Sequence, residues 1–187
     1  NRLQVKNGTR VIWESVANES FVRAGTQQLD AHELRGSFTV NENIATQCTD
    51  QTISSFTQNG TEVVFKGRLT GNTACATNYT LTFTQPITGH LRFKLNIDNS
   101  AVNYSELAYS STADERFHGF GEQFSVLNMK GKTVPVLSEE GGVGRGHQPI
   151  TAAVNLGSKG AAGNELTTYY AVPQYITNTN KSLFLEN

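Results

Sequence analysis

The sequence predicts an all-β protein, an antiparallel β-sandwich, with residues 1–187 forming a single domain. Three observations predict it. Apolar and polar residues alternate with a period of two in many short runs, the spacing of strands with one buried face. Gly, Asn, Thr and Pro clusters separate these runs, as in sandwiches with frequent turns. Helical periodicity is missing, apart from a turn-like stretch at residues 125–130.

Taken in order, the first strand candidates are residues 10–14, 20–24, 36–40 and 62–69. Residues 78–85 read NYTLTFTQ, placing Tyr79, Leu81 and Phe83 on an inner face and Thr80, Thr82 and Thr84 on an outer one. Residues 90–98 read HLRFKLNID, with Leu91, Phe93, Leu95 and Ile97 alternating against Arg92, Lys94 and Asn96. PITG at residues 86–89 is a turn signal, so the two runs form a hairpin. Residues 104–110, 133–137, 167–172 and 182–185 complete the set, and GSKGAAGN at 157–164 reads as a mobile loop within the domain.

Composition narrows the function classes. An apolar fraction of 37% is low, yet six Tyr, ten Phe and one Trp supply enough aromatic surface for a core and argue against disorder. A net charge of -1 offers no clustered cationic face, so nucleic acid is not an expected partner. No apolar run reaches the length of a membrane span. The chain starts at Asn1 rather than Met, which reads as processing or trimming.

Two features point to the secretory pathway. Cys48 and Cys75 are the only cysteines and do not form a C-x-x-C pair, and two thiols cannot complete a structural zinc site. A disulfide in an oxidising compartment is the expectation, with two reduced thiols near turns as the alternative. The acceptor motif N-x-S/T occurs at Asn7, Asn18, Asn59, Asn78, Asn103 and Asn180, where N-glycans would require exposed positions. In so Asn-, Ser- and Thr-rich a chain, about half of such motifs arise by chance. A secreted or luminal glycoprotein is the expectation.

The most unusual stretch is SEEGGVGRG, residues 138–146. Its glycines do not make a dinucleotide fingerprint or a P-loop, and Pro149 argues against a helix directly after it. Glu139 and Glu140 are adjacent, so on extended chain their side chains point to opposite sides and at most one faces a given ligand. A solvated glycine-rich hairpin is the plain reading, with a ligand-facing loop as the alternative. His32 and His118 are isolated and read as surface or packing histidines, so no metal site is expected. Tyr169, Tyr170 and Tyr175 could stack on a sugar, but core or rim positions on a strand pair are the simpler reading. No Ser lies in a G-x-S-x-G context, and no catalytic set or cofactor site can be assembled from spacing.

ERFHGFGEQF, residues 115–124, resembles the G-x-G-E segment of glycoside hydrolase family 31, which lies late in that family's N-terminal β-sandwich. LNMKGKTVPVLSEEGGVGRG and TTYYAVPQYITNTNKSLFLEN follow in the family's order, and VIWES and SFVRAG match its start. SEEGGVGRG is most similar to the loop of the sulfoquinovosidase-like branch. The resemblance implies a galactose-mutarotase-like sandwich preceding a (β/α)8 barrel that carries two catalytic aspartates of a retaining α-glycosidase. No catalytic residue is then expected in this chain; the barrel is the expected partner, in the same polypeptide or as a cleaved one. The resemblance also implies that a sandwich loop reaches the sugar, placing Glu140 at the substrate-contacting position, with Arg145 and Gln148 beside it. Residues 119–122, GFGE, read as a structural tight turn. Val134 stands where the family often has Trp before the Pro, which implies an altered aglycone side. A glycosidase-like carbohydrate-binding or structural glycoprotein without catalysis is the alternative function.

Overall fold

The structure, a computed structural model, describes residues 2–34, 36–72, 75–140, 148–158 and 162–186. They fall into two compact units, residues 1–29 with 42–110 and residues 30–41 with 111–187.

The first unit is built on β1 (Gln4–Asn7), β2 (Arg10–Glu14), β3 (Val22–Leu34), β4 (Ser37–Asn59), β5 (Glu62–Gly71), β6 (Ala76–Thr84), β7 (Arg92–Ile97) and β8 (Tyr104–Leu107). Strands β7-β6-β5-β4-β3-β8 form one sheet in that order, and β1-β2 form a second, small one. The far ends of β3 and β4 belong to the second unit. The alternation expected in β6 and β7 is present: Tyr79, Leu81 and Phe83 are buried, and the two strands pair antiparallel with Leu81 opposite Leu95. Trp13 of β2 packs on Phe21, Phe83 and Tyr109 at ring distances of 6.2, 5.7 and 6.4 Å. These tilted and edge-on aromatic contacts join the two sheets over one apolar core, the sandwich arrangement.

Cys48 and Cys75 are both buried in that core and form a disulfide with Cα atoms 5.4 Å apart. A crosslink spanning 27 residues constrains the unfolded chain by roughly 3–4 kcal/mol.

β4 is far longer than the expected strand at 36–40, running 23 residues with most side chains exposed. Its register shifts between Cys48 and Asp50 and between Ile53 and Ser55. Such irregularities bend a long strand and interrupt the alternation by which strands are recognised.

The second unit holds β9 (Phe117–Gly121), α1 (Pro149–Ser158), β10 (Ala171–Thr177) and β11 (Ser182–Phe184), with sheet order β11-β10-β9. Tyr175 is buried between Phe117 and Phe120, with ring centroids at 5.2 and 5.6 Å. The carboxylate of Glu115 is also buried, accepting a hydrogen bond from Thr179 Oγ1 at 2.8 Å and pairing with Lys181 Nζ at 3.2 Å.

Several sequence expectations are corrected here. Pro149 does not prevent a helix; it is the first residue of α1, where a missing N–H costs nothing and a fixed φ is already helical. The first helical bond runs from Ala152 N to the carbonyl of Gln148. Residues 133–137 form no strand, and β10 begins only at Ala171. Residues 125–130, by contrast, hold bends and a turn at Lys130, in keeping with the turn-like reading. GFGE is not a tight turn: Gly119, Phe120 and Gly121 lie in β9 with φ of +130°, +65° and +98°. A Cβ on Gly121 would lie 1.9 Å from the carbonyl oxygen of Tyr170, so this strand is pressed against β10 where only glycine fits. The loop at 157–164 is also different from expectation in its described part. Residues 157–158 close α1, and Asn155 clasps Ala162 N at 2.9 Å and Gly163 O at 3.1 Å.

Candidate functional site

Within the second unit, residues 138–140 run as extended chain between two other segments. On one side is the tip of the β3–β4 hairpin, residues 33–38; on the other, residues 168–171. Ser138 bridges Thr168 in parallel, and its Oγ accepts a hydrogen bond from Ala171 N at 3.1 Å. Glu139 N donates to Thr168 O at 2.8 Å. Glu140 N turns the opposite way and donates to Gly36 O at 2.8 Å.

The side chains alternate as the backbone does. Glu139 is buried, and its Oε2 accepts the backbone N–H of Phe38 at 3.1 Å. Glu140 is exposed, and its Oε1 accepts the phenol O–H of Tyr169 at 3.0 Å. Its Oε2 has no hydrogen-bond partner among the described residues. Ser37 Oγ donates to Glu140 O at 2.7 Å, closing the clasp. Gly36, at φ +81°, lets the hairpin tip approach closely, since an added Cβ would meet the Glu140 Cβ at 3.0 Å.

The G-x-G-E segment supports the opposite side. Glu122 N donates to Tyr170 O at 2.9 Å, and Thr168 Oγ1 donates back to Glu122 O at 2.7 Å. Thr168 is fully buried, whereas Tyr169 and Tyr170 are 46% and 67% exposed. GFGE therefore fixes the short segment that presents Tyr169 to Glu140. Tyr175, the third aromatic read from the sequence, belongs to the core instead.

The other candidates fall as follows. Arg145 lies outside the described residues. Gln148 is exposed and caps the start of α1 through its carbonyl. His32 sits on the exposed hairpin tip 3.4 Å from Asp30, and His118 Nδ1 donates to Leu127 O at 2.7 Å. Among the described residues no group of three or more His, Cys, Asp or Glu is placed to hold a metal ion.

The six sequon asparagines are all exposed. Asn7 and Asn59 each precede a two-residue hairpin turn. Asn103 differs, because its side-chain amide pairs with both backbone groups of Gln27 at 2.8 and 2.7 Å.

Chemically, the arrangement offers one half-occupied carboxylate and exposed aromatic rings. Its described residues do not offer an acid–base pair. A retaining glycosidase needs two carboxyl groups about 5 Å apart facing one bond, and Glu139 is turned away and committed to Phe38. What sequence reasoning missed were Gly36, Ser37 and Phe38, some hundred residues from their partners, and no local pattern marks them.

No family model matches the chain. A sulfoquinovosidase of Escherichia coli (strain K12) is 27% identical over 99 residues, which are 53% of this chain and 15% of that protein. A glycoside hydrolase family 31 sulfoquinovosidase from E. rectale, solved in complex with an aza-sugar inhibitor, matches in fold with a TM-score of 0.77. That match has 20% identity and covers 100% of this chain and 26% of the other. The chain thus spans about a sixth to a quarter of the proteins it matches. In sequence and in fold it is similar to the N-terminal β-sandwich domain of glycoside hydrolase family 31 enzymes of the sulfoquinovosidase type.

Proposed function

We propose that this chain is the non-catalytic N-terminal part of a secreted retaining α-glycosidase acting on α-sulfoquinovosides or α-glucosides, and that it supplies Glu140 to the substrate pocket. The observation that carries the reading is the presentation of Glu140: its backbone is clasped by Gly36 and Ser37, and one carboxylate oxygen has no partner among the described residues. Such an oxygen accepts a sugar hydroxyl in a charge-assisted hydrogen bond once solvent is excluded. The chemistry itself belongs to two aspartates of a barrel domain, consistent with the small share of the related proteins that this chain covers. Arg145 and Gln148, which follow Glu140 in sequence, are proposed as lesser substrate contacts.

Exposed apolar side chains support a docked partner domain. Each unit carries side chains that such a domain would cover: Ile44, Ile53 and Phe56 on β4 of the first and Leu127 and Leu156 of the second are exposed. Secretion is supported by the buried disulfide and by six exposed sequons.

Peptide sequencing of the native protein tests the architecture. The expected result is a barrel carrying both aspartates. A native protein lacking either aspartate would overturn the enzymatic assignment and favour a carbohydrate-binding or structural glycoprotein.

A further inference from the structure

We infer that Tyr169 is a positioning residue for Glu140: its phenol occupies one carboxylate oxygen and thereby aims the other at a sugar hydroxyl. The inference rests on the reading of Glu140 as a substrate contact. Its own ground is the geometry on both sides of residue 140.

A glutamate side chain has three torsions, and nothing in an exposed position selects one rotamer by packing. Here the backbone is fixed first. Glu140 N, Glu140 O and the neighbouring Glu139 carboxylate are bonded to Gly36, Ser37 and Phe38 respectively. The remaining freedom lies in the side chain, and the Tyr169 O–H narrows it by a 3.0 Å bond to Oε1.

Folding alone does not account for this bond. Both groups are exposed, so water serves each of them nearly as well, and the gain in stability is small. Its consequence is orientation. The Tyr169 backbone is in turn fixed by its neighbours, since Thr168 is buried on Glu122 O and Tyr170 O accepts Glu122 N. The donor and the acceptor are thus both held on rigid segments, the arrangement by which preorganisation reduces the entropy lost on binding.

The test uses the complete gene product, assayed with 4-nitrophenyl α-sulfoquinovoside and 4-nitrophenyl α-glucoside. Four forms are compared: the parent, Tyr169→Phe, Glu140→Gln and the double variant. Tyr169→Phe keeps the ring and removes only the donor. It should raise KM about fivefold, leave kcat within about twofold and leave Tm unchanged, the pattern of lost ground-state binding. In the Glu140→Gln background the same change should cost clearly less than in the parent, because the oxygen it would aim is gone and residues that act through one another are not additive.

Three results overturn the inference while leaving the Glu140 contact standing: an unaltered KM in Tyr169→Phe beside an impaired Glu140→Gln, a full additional loss in the double variant, or a fall in Tm that accounts for the loss. Unaltered kinetics in Glu140→Gln, or a parent that turns over neither probe, overturns the Glu140 reading and the Tyr169 role with it.

Discussion

The carboxylate of Glu139 accepts the backbone amide of Phe38 at 3.1 Å, across 101 residues of sequence. This bond ties the tip of the β3–β4 hairpin to the segment that carries Glu140. Glu139→Ala would leave that amide without its acceptor and let the tip separate. We expect a loss of about 1–2 kcal/mol in unfolding free energy, and a smaller loss in Glu139→Gln, which keeps an acceptor oxygen. Chemical denaturation of the three forms measures it.

Gly121 is the second structural control. Its φ of +98° and the 1.9 Å approach of an added Cβ to Tyr170 O leave no room for a side chain. The obstacle is backbone, which cannot swing aside. Gly121→Ala is expected to cost about 3 kcal/mol and to displace residues 168–171. Thermal unfolding measures the cost, and faster amide exchange at Glu122, which is bonded to Tyr170 O, would locate it.

Glu115 gives the protein an acid-sensitive element. Burial opposes its charge, but hydrogen bonds from Thr179, Lys181 and Thr177 and the Lys181 charge outweigh it and hold the carboxyl below the usual glutamate range. The folded-state value is therefore lower than the unfolded one, and the unfolded chain binds the proton more readily. The stabilisation is whole above the unfolded value, near pH 4.5, and is lost as pH falls through the folded value. Glu115→Gln should lower stability at pH 7 by about 1–3 kcal/mol and flatten the decline of stability below about pH 4.5. Urea unfolding at pH 7, 5, 4 and 3 checks both.

Some of this was legible in the sequence and some was not, for physical reasons. β6 and β7 were legible because large apolar residues alternate with Thr, Lys and Arg, which is the signature of a half-buried pair. β4 was legible only at its start, since an exposed strand rich in Thr, Asn and Gln carries little contrast between its faces. α1 is hidden in the sequence because Pro149 reads as a breaker, whereas it serves as a first-turn residue. GFG reads as a turn because glycine pairs usually mark one, whereas here they allow two strands to touch.

At the candidate site, the opposite facing of Glu139 and Glu140 followed from strand geometry alone. Gly36, Ser37, Phe38 and Tyr169 did not. They meet residues 139 and 140 through the tertiary fold, across 29 residues of sequence for Tyr169 and 101 to 103 for Phe38 and Ser37, and such a hydrogen bond leaves no periodic trace.

The most direct test of the central claim is the steady-state kinetics of Glu140→Gln in the complete gene product, with α-sulfoquinovoside and α-glucoside probes. The amide keeps the shape and removes the charge. The account predicts a loss in kcat/KM of about ten- to a hundredfold, the value of one charge-assisted hydrogen bond of roughly 1.5–3 kcal/mol, with an unchanged melting temperature. Kinetics within twofold of the parent would contradict it and return residues 138–140 to a purely structural role.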